Sequence, residues 1–147
     1  VNVIAPLMLT KLLLPQLKRD RASIVNVASS VAFNPLPNMS LCAASKAFVL
    51  NWSEALSYEL RHTNRVLTVS LSATRTGFQK ASGLPVEDGR GLQSAEYVAA
   101  RIIKCLGGKK HSVVLGGAGT RALLLVSRFL PRDLNVKLWG VLFERMR

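Results

Sequence analysis

A chain of 147 residues has the length of one domain with a real hydrophobic core. Its composition, 49% hydrophobic and 19% charged, excludes a disordered segment, and its longest apolar runs, such as 122–126, are far shorter than the roughly 18 residues a membrane-crossing helix needs. The net charge of +12 would suit nucleic acid, anionic lipid or an acidic substrate. The basic residues are spread along the chain, however, without zinc-finger spacing, an aromatic-interleaved patch or an arginine-rich run, so nucleic-acid binding is not expected.

Cys42 and Cys105 have no histidine or cysteine at ligand spacing, so no metal site is expected. Two free thiols in a reducing cytoplasm are expected over a disulfide. The first residue is valine, and helical periodicity already runs through Val3, Leu7 and Leu14 with no cap residue ahead of it. The opening segment also lacks the pattern of a signal peptide. Such a start is expected of a C-terminal fragment of a larger fold.

In chain order, residues 2–18 read as a helix, weakened by Pro6 and Pro15 and ended by the charged turn 18–21. The β-branched run 23–29 reads as a buried strand, and 31–39, with two prolines and two asparagines, as a loop. Residues 43–61 give the strongest helix, with Phe48, Trp52, Leu56 and Leu60 on one stripe. A second buried strand follows over 65–71, and then a long glycine-containing loop over 72–93, of a length usually reserved for function. Ser94 is positioned to cap a helix over 95–106, with Glu96 in the first turn. Residues 111–117 read as a third strand, and two helical segments flank Pro131.

Strands alternating with full-length helices predict an α/β fold: a parallel sheet with helices on both faces. In such sheets ligands sit at the carboxyl ends of the strands. Those ends are Ala28-Ser29-Ser30, 71–76 and Gly116-Gly117, and the first two carry hydroxyl clusters.

Ser29, Cys42 and Lys46 form the constellation with most chemical content. Position 42 and Lys46 are one helical turn apart at the start of a helix and share a face, while Ser29 ends a strand thirteen residues before position 42. A hydroxyl, an ionisable group and a cation converging on one volume would serve proton transfer, the lysine favouring the anionic form of its neighbour.

On these residues, and on the run "ASKAFVLNWSEAL", the chain resembles the C-terminal part of the short-chain dehydrogenase/reductase family. The resemblance implies a partial Rossmann-like domain over 1–147, with 118–147 a loosely matched C-terminal helical extension. It implies hydride transfer between NAD(P) and a hydroxyl or carbonyl substrate. By resemblance, Asn2 in "VNVIAP" orders a proton-relay water and Ser29 in "VNVASS" holds the substrate oxygen. Lys46 binds the nicotinamide ribose and lowers the pKa of the catalytic acid at position 42, while Thr76 and the backbone near Thr74 in "ATRTGF" contact the carboxamide. The helices at 2–18 and 43–61 would build a homo-oligomer.

The departures are as specific. Cys42 stands where the family has tyrosine, Leu71-Ser72 where it has proline-glycine, and the sequence contains neither the Thr-Gly-x-x-x-Gly-x-Gly loop nor the Asn-Asn-Ala-Gly strand. A thiol has an unperturbed pKa of about 8.5, below the roughly 10 of a phenol. A cysteine sulfur nevertheless ends several ångströms short of a tyrosine oxygen, and misplacement by about 1 Å already costs roughly a hundredfold. A buried, small hydrophobic residue without catalytic duty is therefore expected at Cys42, and a chain inactive or nearly so. The alternative function is a non-catalytic interaction or dimerisation protein, or the remnant of a decayed gene.

His62 and His111 lack an orienting carboxylate and read as surface residues. Gly116, Gly117 and Gly119 read as a tight turn rather than a phosphate loop. Leu134, Leu138 and Leu142 in the segment 132–147 recur at helical spacing beside basic residues, which allows weak peripheral membrane contact as well as packing on the domain itself.

Overall fold

The computed structural model describes residues 1–78 and 92–144, apart from the side chain of Phe143. Most of the long loop expected over 72–93 lies outside the described residues, as do 145–147. The element order is helix α1 (Ile4–Arg19), strand β1 (Ile24–Ser29), a 3-10 turn (Ser30–Phe33), helix α2 (Ser40–Glu59), and strands β2 (Val66–Leu71), β3 (Thr74–Arg75) and β4 (Gln93–Ser94). Helix α3 (Ala95–Leu106), strand β5 (Ser112–Leu115) and helices α4 (Ala118–Ser127) and α5 (Arg132–Glu144) complete it.

The three main strands form a parallel sheet in the order β1-β2-β5. Their period-two alternation divides the core in two. Ile24 and Val66 face Leu56 of α2, Leu60 at its C-cap, and Leu14 and Leu17 of α1. Leu67, Val69 and Leu115 face Val98, Ile102 and Leu106 of α3. Helices α1 and α2 thus cover one face and α3 the other, as the alternating pattern predicts.

Three local readings are corrected. Helix α2 starts at Ser40, one turn ahead of the expected Ala43, and the loop after β1 opens with the 3-10 turn. The Ser29 hydroxyl starts that turn by accepting from the Val31 N–H at 3.3 Å. The loop after β2 carries two short strands, β3 and β4, which pair in parallel at its two ends. Ser94 caps α3 as expected, its hydroxyl accepting from the Tyr97 N–H at 3.1 Å.

Helix α1 ends without glycine. The N–H of Ala22 reaches the Leu17 carbonyl at 3.0 Å and that of Arg21 the Lys18 carbonyl at 3.3 Å, the pattern of a Schellman stop. Arg21 occupies the left-handed position with φ of 48°. Asn64 supports the stop by donating its amide to Leu17 O at 2.6 Å and Ala22 O at 2.9 Å.

Between α2 and the sheet lies a buried polar knot. Ser53 Oγ accepts from Asn26 Nδ2 at 2.9 Å and from Thr68 Oγ1 at 2.7 Å, joining β1, α2 and β2 at one point. Ser53 and Thr68 are both completely buried. The helix face that meets the sheet is therefore centred on Val49, Ser53, Leu56 and Leu60, while Phe48 and Trp52 stack on each other at its margin, ring centroids 6.1 Å apart.

Candidate functional site

The sheet register brings the three carboxyl ends level. Ser29 pairs with Leu71, and Leu71 with Leu115. Two bonds tie these ends together: Ser29 Oγ donates to Leu71 O at 3.3 Å, and Ser72 N donates to Leu115 O at 2.9 Å. At the third end, Gly116 is held close to Ser72; a Cβ there would press on the Ser72 hydroxyl, which would have to turn aside to admit a larger residue.

Lys46 joins this end of the sheet from α2. Its Nζ donates to Val27 O at 3.1 Å, two residues before Ser29. Ile24 N bonds Arg65 O, so in a parallel pair the backbone groups of Ile24, Asn26 and Ala28 face β2, while those of Val25 and Val27 face the other, open edge of β1. The ammonium therefore caps a carbonyl on that open edge and retains further N–H donors for another acceptor. Cys42 lies one turn earlier, not in a disulfide and half-buried rather than buried as expected, because it sits in the first turn of α2 where the helix is not yet covered by the sheet.

Thr74 and Thr76 follow directly from β2. Thr74 Oγ1 donates to Ser72 O at 2.9 Å, and Thr76 Oγ1 accepts from Phe78 N at 3.2 Å, which leaves the Thr76 hydroxyl proton available. Asn2 lies in the turn ahead of α1 and is exposed. Lys46 and Ser29 are thus both anchored to β1, and Thr74 and Thr76 line the same sheet end, whereas Asn2 makes no hydrogen bond to any of them.

Further residues around this end escape motif reading. Asn34, after the 3-10 turn, accepts through Oδ1 from Asn135 Nδ2 of α5 at 2.9 Å, and Asn135 also reaches Ser127 O at 3.4 Å. This buried contact sets the C-terminal helix pair beside the segment that leaves β1. Only the turn-forming character of Asn34 is visible in the sequence, because its partner is 101 positions away. Among the described residues the hydroxyl of Ser72 is buried without a partner, beside Gly116. Among the described residues, no group of three or more His, Cys, Asp or Glu could hold a metal ion.

The profile of the short chain dehydrogenase family matches residues 1–85. The chain belongs to the short chain dehydrogenase family. Curated relatives include ketoacyl reductase HetN of Nostoc, 28% identical over 91% of this chain and 50% of its own length. Another is the zebrafish inactive hydroxysteroid dehydrogenase-like protein 1, 30% identical over 72% of this chain and 33% of its own. Among solved structures, a short chain dehydrogenase from Burkholderia cenocepacia in complex with NADP superimposes with a TM-score of 0.76 at 25% identity, over 91% of this chain and 54% of that one. A Sphingobium yanoikuyae short-chain dehydrogenase in complex with NADPH does so with 0.72 at 27%, over 86% and 51%. The chain spans about half, or less, of the length of these relatives.

Proposed function

We propose that the full protein descends from an NAD(P)-dependent oxidoreductase acting on a hydroxyl or carbonyl substrate, and that residues 1–147 form its catalytic half, with 118–147 as a helical extension. One observation carries this reading: Lys46 is tied to β1 two residues before Ser29 and one turn after position 42. A hydroxyl, an acid position and a cation are then anchored to two adjoining elements at the ligand-binding end of the sheet.

The residues present fit one end of the dinucleotide. Lys46 has ammonium protons to spare for the ribose hydroxyls, and the Thr76 hydroxyl can donate to a carboxamide. Nothing in these 147 residues supplies the glycine loop for the pyrophosphate. The cofactor, when bound, exchanges a hydride with the carbon of the substrate. The chain's own part is to hold the oxygen with Ser29 and to move a proton at position 42, with Lys46 and Asn2 assisting.

Cys42 breaks that scheme, since a thiol there stops short of where a phenol oxygen would meet the substrate. We read the chain as inactive or nearly so in this form. The test is the chain extended upstream by its nucleotide-binding half and carrying Cys42→Tyr. Regained hydride transfer to NAD(P)+ supports the reading, and a folded, cofactor-binding protein that stays inert counts against it.

A non-catalytic role in assembly is the second reading, and the surface of α1 favours it. No residue of that helix is buried, and Ile4, Leu9 and Leu12 are all more than half exposed. Leu41 and Tyr58 on α2 are exposed as well. A homo-oligomer formed through α1 and α2 would cover this surface, and sedimentation of the full chain tests it. A weak peripheral contact of 132–147 with membranes is consistent with the exposure of Leu134 and Val141 beside Lys137. Among the described residues no helix is long and apolar enough to cross a membrane. A cytoplasmic setting accords with the two free thiols.

A further inference from the structure

At the amino ends of the strands, opposite Ser29 and Lys46, a groove of about 290 Å³ runs between the end of α3 and the loop entering β5. Arg101, Lys104, Lys109 and Lys110 line it, over Cys105 and Val113. We propose that this groove binds a phosphate-bearing anion.

Cations gather at helix C-termini simply to neutralise the terminal carbonyls, and that ordinary duty must be set aside first. Here a residue outside the groove takes part of it. Arg65, just ahead of β2, donates from Nη2 to Cys105 O at 3.0 Å and to Lys110 O at 3.0 Å. Gly108 N closes on the same Cys105 carbonyl at 3.1 Å. One terminal carbonyl of α3, that of Cys105, is thus capped by a residue outside the groove, and Arg65 also ties Lys110 of the following loop to it. The four cations of the groove make no side-chain hydrogen bond or ion pair among the described residues.

Nor is an acid close along the helix. Glu96, the acidic residue of α3, sits in the first turn, at the opposite end from Lys104. Four basic residues thus share one open groove with no acid among its lining residues, and an anion bound there would offset their like charge. Lysine ammoniums, as point charges, and the arginine fork both suit phosphate oxygens. The Thr68 N–H bond to His111 O at 2.8 Å fixes the loop to the sheet, so the groove is formed before any ligand arrives.

A free phosphate compound and a lipid phosphate headgroup share this chemistry, and the experiment separates them. The full chain is titrated at low ionic strength with inorganic phosphate, followed by amide NMR shifts. It is also sedimented with phosphatidylcholine vesicles with and without phosphatidic acid. The groove variant Lys104→Glu/Lys109→Glu is compared with Lys11→Glu/Lys18→Glu, which changes net charge equally on α1, and with the milder Lys104→Gln/Lys109→Gln. Saturable phosphate binding that shifts amides 104–110 is expected, about tenfold weaker in the groove variant and unchanged in the α1 variant. Sedimentation with phosphatidic acid vesicles that shows the same groove dependence assigns the site to a headgroup; phosphate binding without it assigns the site to a soluble phosphate. Absence of saturable binding to either probe, or equal loss in both glutamate variants, overturns the proposal.

Discussion

The Lys46 ammonium rests on the Val27 carbonyl at 3.1 Å, so the cation of α2 is fixed to the open edge of β1. The bond is solvent-exposed, and such contacts contribute little to folding. Lys46→Ala should change stability by no more than about 0.5 kcal/mol in chemical denaturation. A larger loss would mean that the contact is structural rather than a means of holding the ammonium in position.

Ser53 is a different case. It is the acceptor for two donors, Asn26 Nδ2 and Thr68 Oγ1, in a region without water access. Ser53→Ala leaves both unsatisfied and should cost about 1–3 kcal/mol or more. At roughly 2–4 °C per kcal/mol for a chain of this size, the lowered Tm is readily measured. Ser53→Ala combined with Thr68→Val removes a donor as well and should recover part of the loss.

The stop after α1 predicts opposite effects at two positions. Arg21 holds φ of 48°, a conformation costing an L-residue about 1–2 kcal/mol, so Arg21→Gly should stabilise by roughly 0.5–1 kcal/mol. Asn64→Ala removes both amide bonds to Leu17 O and Ala22 O and should destabilise by about 1–3 kcal/mol. Urea midpoints of the two variants moving in the same direction would contradict the assignment.

Glu96 links the cap of α3 to pH. Its carboxyl is held below the usual carboxylate range, chiefly by its own backbone N–H and then by the Ser94 hydroxyl. A lowered folded-state pKa means a contribution that is present above the unfolded value and lost as pH falls through the folded one. Ser94→Ala should raise the Glu96 pKa toward its ordinary value, as read by carbon NMR titration, and cost about 1 kcal/mol through loss of the cap. An unmoved Glu96 titration would exclude the Ser94 bond as a cause.

Most of the architecture was legible in pattern alone. The β-branched runs 24–29 and 66–71 pair in parallel because each hides alternate side chains on two faces, and Ser94 declared the start of α3. The stripe through Phe48, Trp52, Leu56 and Leu60 does pack against the core, but hydrophobicity ranks Ser53 as surface, whereas its hydroxyl is matched by Asn26 and Thr68 inside it. Asn26 and Thr68 are polar residues in apolar strands, and no local signal joins them across 42 positions. The Asn34–Asn135 contact and the Lys46 bond to Val27 likewise depend on which elements the tertiary fold brings together. At the candidate site, "ASK" located Lys46 and the strand end located Ser29, but the service of Arg65 to the α3 terminus came from the structure alone.

We propose that position 42, rather than the surrounding frame, limits the chemistry. Hydride transfer from a secondary alcohol to NAD(P)+ should be followed for the upstream-extended chain with Cys42, with Cys42→Tyr, and with Cys42→Tyr/Lys46→Ala. Little or no turnover is expected with cysteine, clear turnover with tyrosine, and loss of most of it without Lys46. A folded, cofactor-binding Cys42→Tyr protein with no turnover on any alcohol or ketone tried, or turnover indifferent to Lys46, would contradict it.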